Sequence, residues 1–153
     1  MHTWFECKIR YEKTMENGMN KKVTEPYLVD ALSFTEAEAR IIEEMTPYIS
    51  GEFTVSDIKR ANYSELFFSE EEAADRWFKC KLSFITLDEK SGAEKKTSTN
   101  VLVQASDLRD AVKKLDEGMK GTMADYQIAS IAETAIMDVF FYQAPDAKPE
   151  VAE

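Results

Sequence analysis

Residues 4–9 read Trp4-Phe5-Glu6-Cys7-Lys8-Ile9, and residues 77–82 read Trp77-Phe78-Lys79-Cys80-Lys81-Leu82. The chain writes one motif twice, 73 positions apart. Each copy alternates. Phe5, Cys7, Ile9 and Tyr11 project to one side, as do Phe78, Cys80, Leu82 and Phe84, with Trp4, Glu6, Lys8, Arg10 and Trp77, Lys79, Lys81, Ser83 on the other. A period of two over this length predicts a strand with one buried face.

The residues downstream of each copy also repeat. Asn17-Gly18 in one half and Lys90-Ser91-Gly92 in the other mark hairpin turns. Tyr27-Leu28-Val29 and Val101-Leu102-Val103 are continuous apolar runs, which predicts second strands covered on both faces. Ser33-Phe34-Thr35-Glu36 is a capping box, and Asp107 caps the corresponding second helix. Phe34, Ala37, Ile41, Met45 and Tyr48 form one apolar stripe, matched by Leu108, Ala111, Leu115 and Met119. A long last strand is expected from Phe53 through a bend near Asp57-Ile58 to Leu66-Phe67-Phe68, and again from Tyr126 to Val139-Phe140-Phe141.

The expected organisation is a first ββαβ repeat over 1–68, an acidic linker over 69–76 with one or two helical turns, a second ββαβ repeat over 77–142 and a disordered tail over 143–153. A repeat of this size is marginal alone, so two should share one core about a pseudo-two-fold axis. The predicted fold is α+β, a tandem duplication with antiparallel sheet and two helices.

The formal charge is −10, half of the excess lying in the linker and tail, which argues against a generic nucleic-acid binder. The first fifteen residues hold no apolar run, and no window approaches a membrane span, so a soluble cytoplasmic protein without membrane contact is expected. The one His, His2, and two isolated cysteines on core faces offer no metal set, and no cofactor is implied. Five glycines and no Gly-rich loop exclude the common phosphate cradles, and no catalytic motif is present, so no enzyme is expected.

The candidate site is the outer-face set Trp4, Lys8 and Arg10, with its echo Trp77, Lys79 and Lys81. An aromatic beside a cation can stack a base and neutralise a phosphate, or form a subunit interface with the cations at its rim. Such faces predict self-association or a protein partner in a non-enzymatic binding or assembly protein. The alternatives are a protein sequestering a small nucleotide and, against the charge, a single-stranded nucleic-acid accessory.

The first-repeat motif, together with Val23-Thr24-Glu25-Pro26-Tyr27-Leu28-Val29-Asp30-Ala31-Leu32-Ser33-Phe34-Thr35-Glu36-Ala37-Glu38-Ala39-Arg40, resembles an uncharacterised family of short proteins from gut Bacteroidales and their phages and mobile elements. The resemblance implies a phage or mobile-element setting, in which an anti-defence role is one reading. It supplies no activity and no site residues.

Overall fold

The computed structural model describes residues 3–122 and 125–141. The elements run β1 (Trp4–Thr14), β2 (Asn20–Asp30), α1 (Phe34–Met45), β3 (Phe53–Ala61), β4 (Glu65–Phe67), β5 (Arg76–Leu87), β6 (Glu94–Ala105), α2 (Leu108–Gly118), β7 (Tyr126–Glu133) and β8 (Val139–Phe140). This is the expected α+β class: among the described residues, two helices and two four-stranded, mostly antiparallel sheets. His2, the proposed tail over 143–153 and Tyr142 lie outside the described residues.

The hairpins keep the register that the alternation predicts. In the first sheet Phe5, Cys7 and Ile9 stand opposite Val29, Tyr27 and Glu25. In the second, Phe78, Cys80 and Leu82 stand opposite Val103, Val101 and Thr99. Gly18 closes the first turn at φ 81°, a left-handed conformation that a side chain would strain. β3 and β7 join the far sides of β1 and β5, each with a bulge at the matching place, after Lys8 and after Lys81.

Each helix is fixed by the same small network. Ser33 Oγ accepts from the Glu36 N–H at 3.1 Å, and Asp107 Oδ1 from the Asp110 N–H at 2.8 Å. Each first-turn acid then reaches back one residue beyond the cap: Glu36 accepts from the Leu32 N–H and Asp110 from the Ser106 N–H, both at 3.0 Å. A cation one turn on completes the set, Arg40 bonding Glu36 and Lys114 bonding Asp110. Both acids satisfy orphan N–H groups and lie at the positive end of the helix dipole. The stripe stops sooner than expected. α1 ends at Met45, ahead of Pro47, and Tyr48 is 76% exposed. The 69–76 segment makes no helix: it turns at Glu72-Ala73, buries Ala74, and Arg76 already belongs to β5.

The predicted long last strand is broken. β3 ends at Ala61, and the Ser64 N–H and Oγ both bond Asn100 O, at 2.9 and 3.1 Å. That pins the following residues to β6, where Glu65, Leu66 and Phe67 pair in parallel with Val101, Leu102 and Val103. The second repeat does the reverse. β7 ends at Glu133, Met137 N–H bonds Pro26 O at 2.8 Å, and Val139 and Phe140 pair in parallel with Leu28 and Val29. The strand orders are therefore β3-β1-β2-β8 and β4-β6-β5-β7. Each sheet takes its last strand from the other repeat.

The compact units follow the sheets rather than the repeats: the described residues up to Ala61 with those from Ile136 onward, and the described residues from Asn62 to Ala135. Among the described residues, a core cluster lies in each unit. Phe5, Cys7, Ile9, Tyr27, Val29, Ala37, Ile41 and Met45 form the first, with Phe140 against it. Phe78, Cys80, Leu82, Val101, Val103, Ala111, Leu115 and Met119 form the second, with Phe67 against it. Phe67 and Phe140 are the same repeat position, and each completes the core of the unit that its own repeat did not begin.

Candidate functional site: a polar cleft in the first unit

The outer-face tryptophans are not open platforms. Trp4 is 4% and Trp77 3% exposed. Trp4 meets Phe141 edge-on, with ring centroids 5.3 Å apart at 73°. Trp77 meets Phe68 in the same way, at 5.3 Å and 81°. Phe68 and Phe141 are again equivalent repeat positions, so the strand exchange carries the aromatic lids with it. Leu28, Leu102 and Val139 on the same outer faces are also buried. Burial of a Trp is worth at most about 5 kcal/mol by area. The expected stacking of a base on Trp4 or Trp77 therefore lacks a free ring face.

The cations separate from the tryptophans. Lys8 is half-buried and Arg10 exposed on β1; Lys79 and Lys81 are exposed on β5. None of the four makes an ion pair among the described residues. Lys8 and Arg10 share one strand face, as do Lys79 and Lys81, because each pair is two residues apart.

Arg10 opens onto a cleft at the end of the first hairpin. β1 outruns β3: the last pair is Tyr11 with Phe53, and Glu12, Lys13 and Thr14 continue with β2 alone. The Ser50-Gly51-Glu52 turn falls away at that point, Gly51 taking φ 101° to bring the chain into β3. The result is an open cleft of about 710 Å³ between the hairpin and the turn. Arg10, Lys22, Glu12 and Glu52 give it charge, and Thr14, Asn20, Ser50 and Thr54 give it donors and acceptors; Tyr11 and Phe53 also line it, with their side chains packed against the core. Sites of this volume bury small molecules of nucleotide size.

Tyr11 is held by a part-buried polar set on the core-facing side of the hairpin. Its hydroxyl donates to Glu25 Oε1 at 2.7 Å, and the Tyr27 hydroxyl donates to the same oxygen at 3.3 Å. Lys13 Nζ lies 3.9 Å from Glu25 Oε2. Burial, with the hydrogen bond to Glu25 next, pushes the Tyr11 phenol up to about 12. Burial and then the Glu25 charge push Tyr27 up as well. Both phenols stay protonated donors at neutral pH, so the cluster does not relay protons.

The second unit serves as an internal control. At the positions of Arg10, Glu12 and Thr14 it has Ser83, Ile85 and Leu87. At those of Tyr11, Glu25 and Tyr27 it has Phe84, Thr99 and Val101. The backbone is the same, and the second unit is less polar on that strand, although Lys96 stands opposite Ile85 as Lys22 stands opposite Glu12. Sequence reading picked out Arg10, gave Lys22 no place in the site and missed the Tyr11–Glu25–Tyr27 set. Comparing the repeats for sites where one copy is polar and the other apolar would have found that set.

The described residues offer little other chemistry. Cys7 and Cys80 are free and fully buried, and burial pushes their thiols up to about 12 and about 11. Among the described residues no cluster of His, Cys, Asp and Glu is placed to hold a metal ion, and no helix is long and apolar enough to cross a membrane. No curated protein and no solved structure matches the chain. A family model covers residues 3–142, and the chain belongs to the family described as Domain of unknown function (DUF4494).

Proposed function

We propose that this is a non-enzymatic binding protein whose ligand site is the cleft of the first unit, and that the ligand is a small molecule of nucleotide type. The observation that carries the reading is the pair Arg10 and Lys22. Both are exposed cations in a cleft, without an ion pair among the described residues; the duplicated unit keeps a cation, Lys96, at the place of Lys22 but has Ser83 at that of Arg10. An unpaired guanidinium favours a phosphate, which it grips with two N–H groups at once. Glu12 and Glu52 accept hydrogen bonds from ligand hydroxyl or amino groups. The lining holds neither His nor Cys, so no activated nucleophile stands by the ligand.

The reading includes a cytoplasmic setting and the phage or mobile-element context that the sequence resemblance implies. In that context, a protein that holds a nucleotide without turning it over acts by sequestration. The test is a thermal-shift screen of mono-, di- and cyclic nucleotides. A ligand at a hundred times its Kd stabilises the fold by about 2.7 kcal/mol. Arg10→Ala and Lys22→Ala should abolish the shift without lowering the unliganded melting temperature. No response to any nucleotide overturns the reading, and a response that survives Arg10→Ala removes the site from this cleft.

A further inference from the structure

β3 and β7 hold equivalent places, each an outer strand with a partner strand on one side only among the described residues and each with the same bulge. An open strand edge is a row of N–H and C=O groups that water can solvate but that also forms a template for another strand, and soluble proteins commonly guard it with charge. β3 is guarded. Lys59 stands opposite Glu6 with Nζ 3.5 Å from Glu6 Oε2, Asp57 stands opposite Lys8, and Arg60 follows. β7 is not. From Tyr126 to Ala132 it carries no charged residue, and Gln127 to Ser130 are exposed. Its described backbone hydrogen bonds run to β5, and its outer edge has no partner strand among the described residues.

The side chains beside that edge say what fits it. Ala132 and Ser130 stand opposite Lys79 and Lys81, where the first unit has Lys59 and Asp57 opposite Glu6 and Lys8. Both lysines are exposed and make no ion pair among the described residues. A strand added beyond β7 would lie about 10 Å from β5, two strand spacings. A lysine stem and a carboxylate side chain reaching toward each other over Ala132 and Ser130 span that gap. A second copy of β7 would not answer the lysines, because it presents Gln127, Ser130 and Ala132 on that face.

We propose that β7 is the docking edge for an extended acidic segment of a partner protein, which adds to the second sheet as a further strand and sets carboxylates over Lys79 and Lys81. The mode is strand addition, with main-chain bonds supplying affinity and alternate side chains specificity. It is independent of the nucleotide reading, since it uses the other unit.

The test is fluorescence anisotropy on the full chain with a labelled nine-residue peptide of alternating Glu and Val, against its Lys–Val counterpart and a Glu–Val peptide N-methylated along one edge. The acidic peptide should bind, weaken at least tenfold between low and moderate salt, and weaken at least tenfold in the Lys79→Glu, Lys81→Glu double variant. The Lys–Val and N-methylated peptides should not bind. Binding of the N-methylated peptide as tight as its parent would mean charge docking without strand addition and would overturn the proposal, as would absence of binding by the acidic peptide. The chain alone should be monomeric by light scattering. A dimer that Ser130→Lys dissolves would give the edge to a second copy and overturn the acidic partner.

Discussion

Phe67 lies in the first repeat and in the second core, which makes an unusual prediction: a mutation in one repeat should loosen the other unit. Removing a fully buried Phe side chain costs about 3–5 kcal/mol. Phe67 and Phe140 are each half-buried, so Phe67→Ala and Phe140→Ala should each cost about 2 kcal/mol, a factor of roughly 30 in the local opening equilibrium. The protein carries its own reporters. Cys7 sits in the first core and Cys80 in the second, both at 0% exposure, with thiols held up at about 12 and about 11. Neither reacts while buried, because the thiolate is the nucleophile. Under native conditions a disulfide reagent labels them through opening, and peptide mass spectrometry tells the two apart. Phe67→Ala should raise the labelling of Cys80 by roughly 30-fold and leave Cys7 within about threefold. Phe140→Ala should do the opposite. Preferential exposure of Cys7 by Phe67→Ala would refute the strand exchange, and equal acceleration of both thiols would refute the division into two separately stabilised cores.

Two further outcomes rest on side-chain geometry. A Cβ on Gly118 would lie 2.8 Å from the Phe67 ring, so Gly118→Ala should lower stability by about 1–3 kcal/mol in a urea titration despite the better helix propensity of Ala, and Phe67→Leu should recover part of the loss. The Ser106 N–H and then Lys114 hold the Asp110 carboxyl down at about 2 from an ordinary 3.8; a depressed acid stabilises the fold above its unfolded value, and that contribution drains away as pH falls from 3.8 toward 2, so Asp110→Asn should flatten the acid limb of a stability profile in that window.

Hairpins, helices and cores were legible because each is set by local pattern. Alternation fixed which side of β1 and β5 is buried, since a slip of one residue would turn Cys7 and Cys80 out to solvent. Ser33 and Asp107 announced the helix starts through their own side-chain oxygens. The last strands were not legible. Leu66-Phe67-Phe68 and Val139-Phe140-Phe141 are nearly the same sequence, so either fits either sheet and the pattern holds no preference. The breaks at 62–64 and 134–138 contain no Gly or Pro, and the bonds that set them, such as Ser64 to Asn100 and Met137 to Pro26, join distant residues. The rings that meet Trp4 and Trp77, Phe141 and Phe68, arrive through that exchange and were hidden with it. Of the predicted site residues, the exposed cations were found on their faces, but the cleft around Arg10 is made by a turn some forty residues away.

The exchange also bears on what a single repeat can do. Residues 1–75 contain β1 to β4 but lack a strand for the open side of β2, and their own β4 has lost β6. By the observed equivalence, Leu66 would take the place of Val139 opposite Leu28, Phe67 that of Phe140 opposite Val29, and Phe68 that of Phe141 against Trp4. The residue types are the same or close at all three places. Two copies of the fragment can therefore complete each other, as in a swapped homodimer. A lone copy would leave Trp4 and Leu28 uncovered, and the several kcal/mol lost there is a large fraction of a small domain's stability. Light scattering on the isolated fragment should show a dimer whose melting temperature rises with concentration, and Phe67→Ala should weaken it. A folded monomer with native Trp4 emission would show that the strand can fold back onto its own sheet, and that the exchange reflects the linkage of the repeats rather than a requirement of the unit.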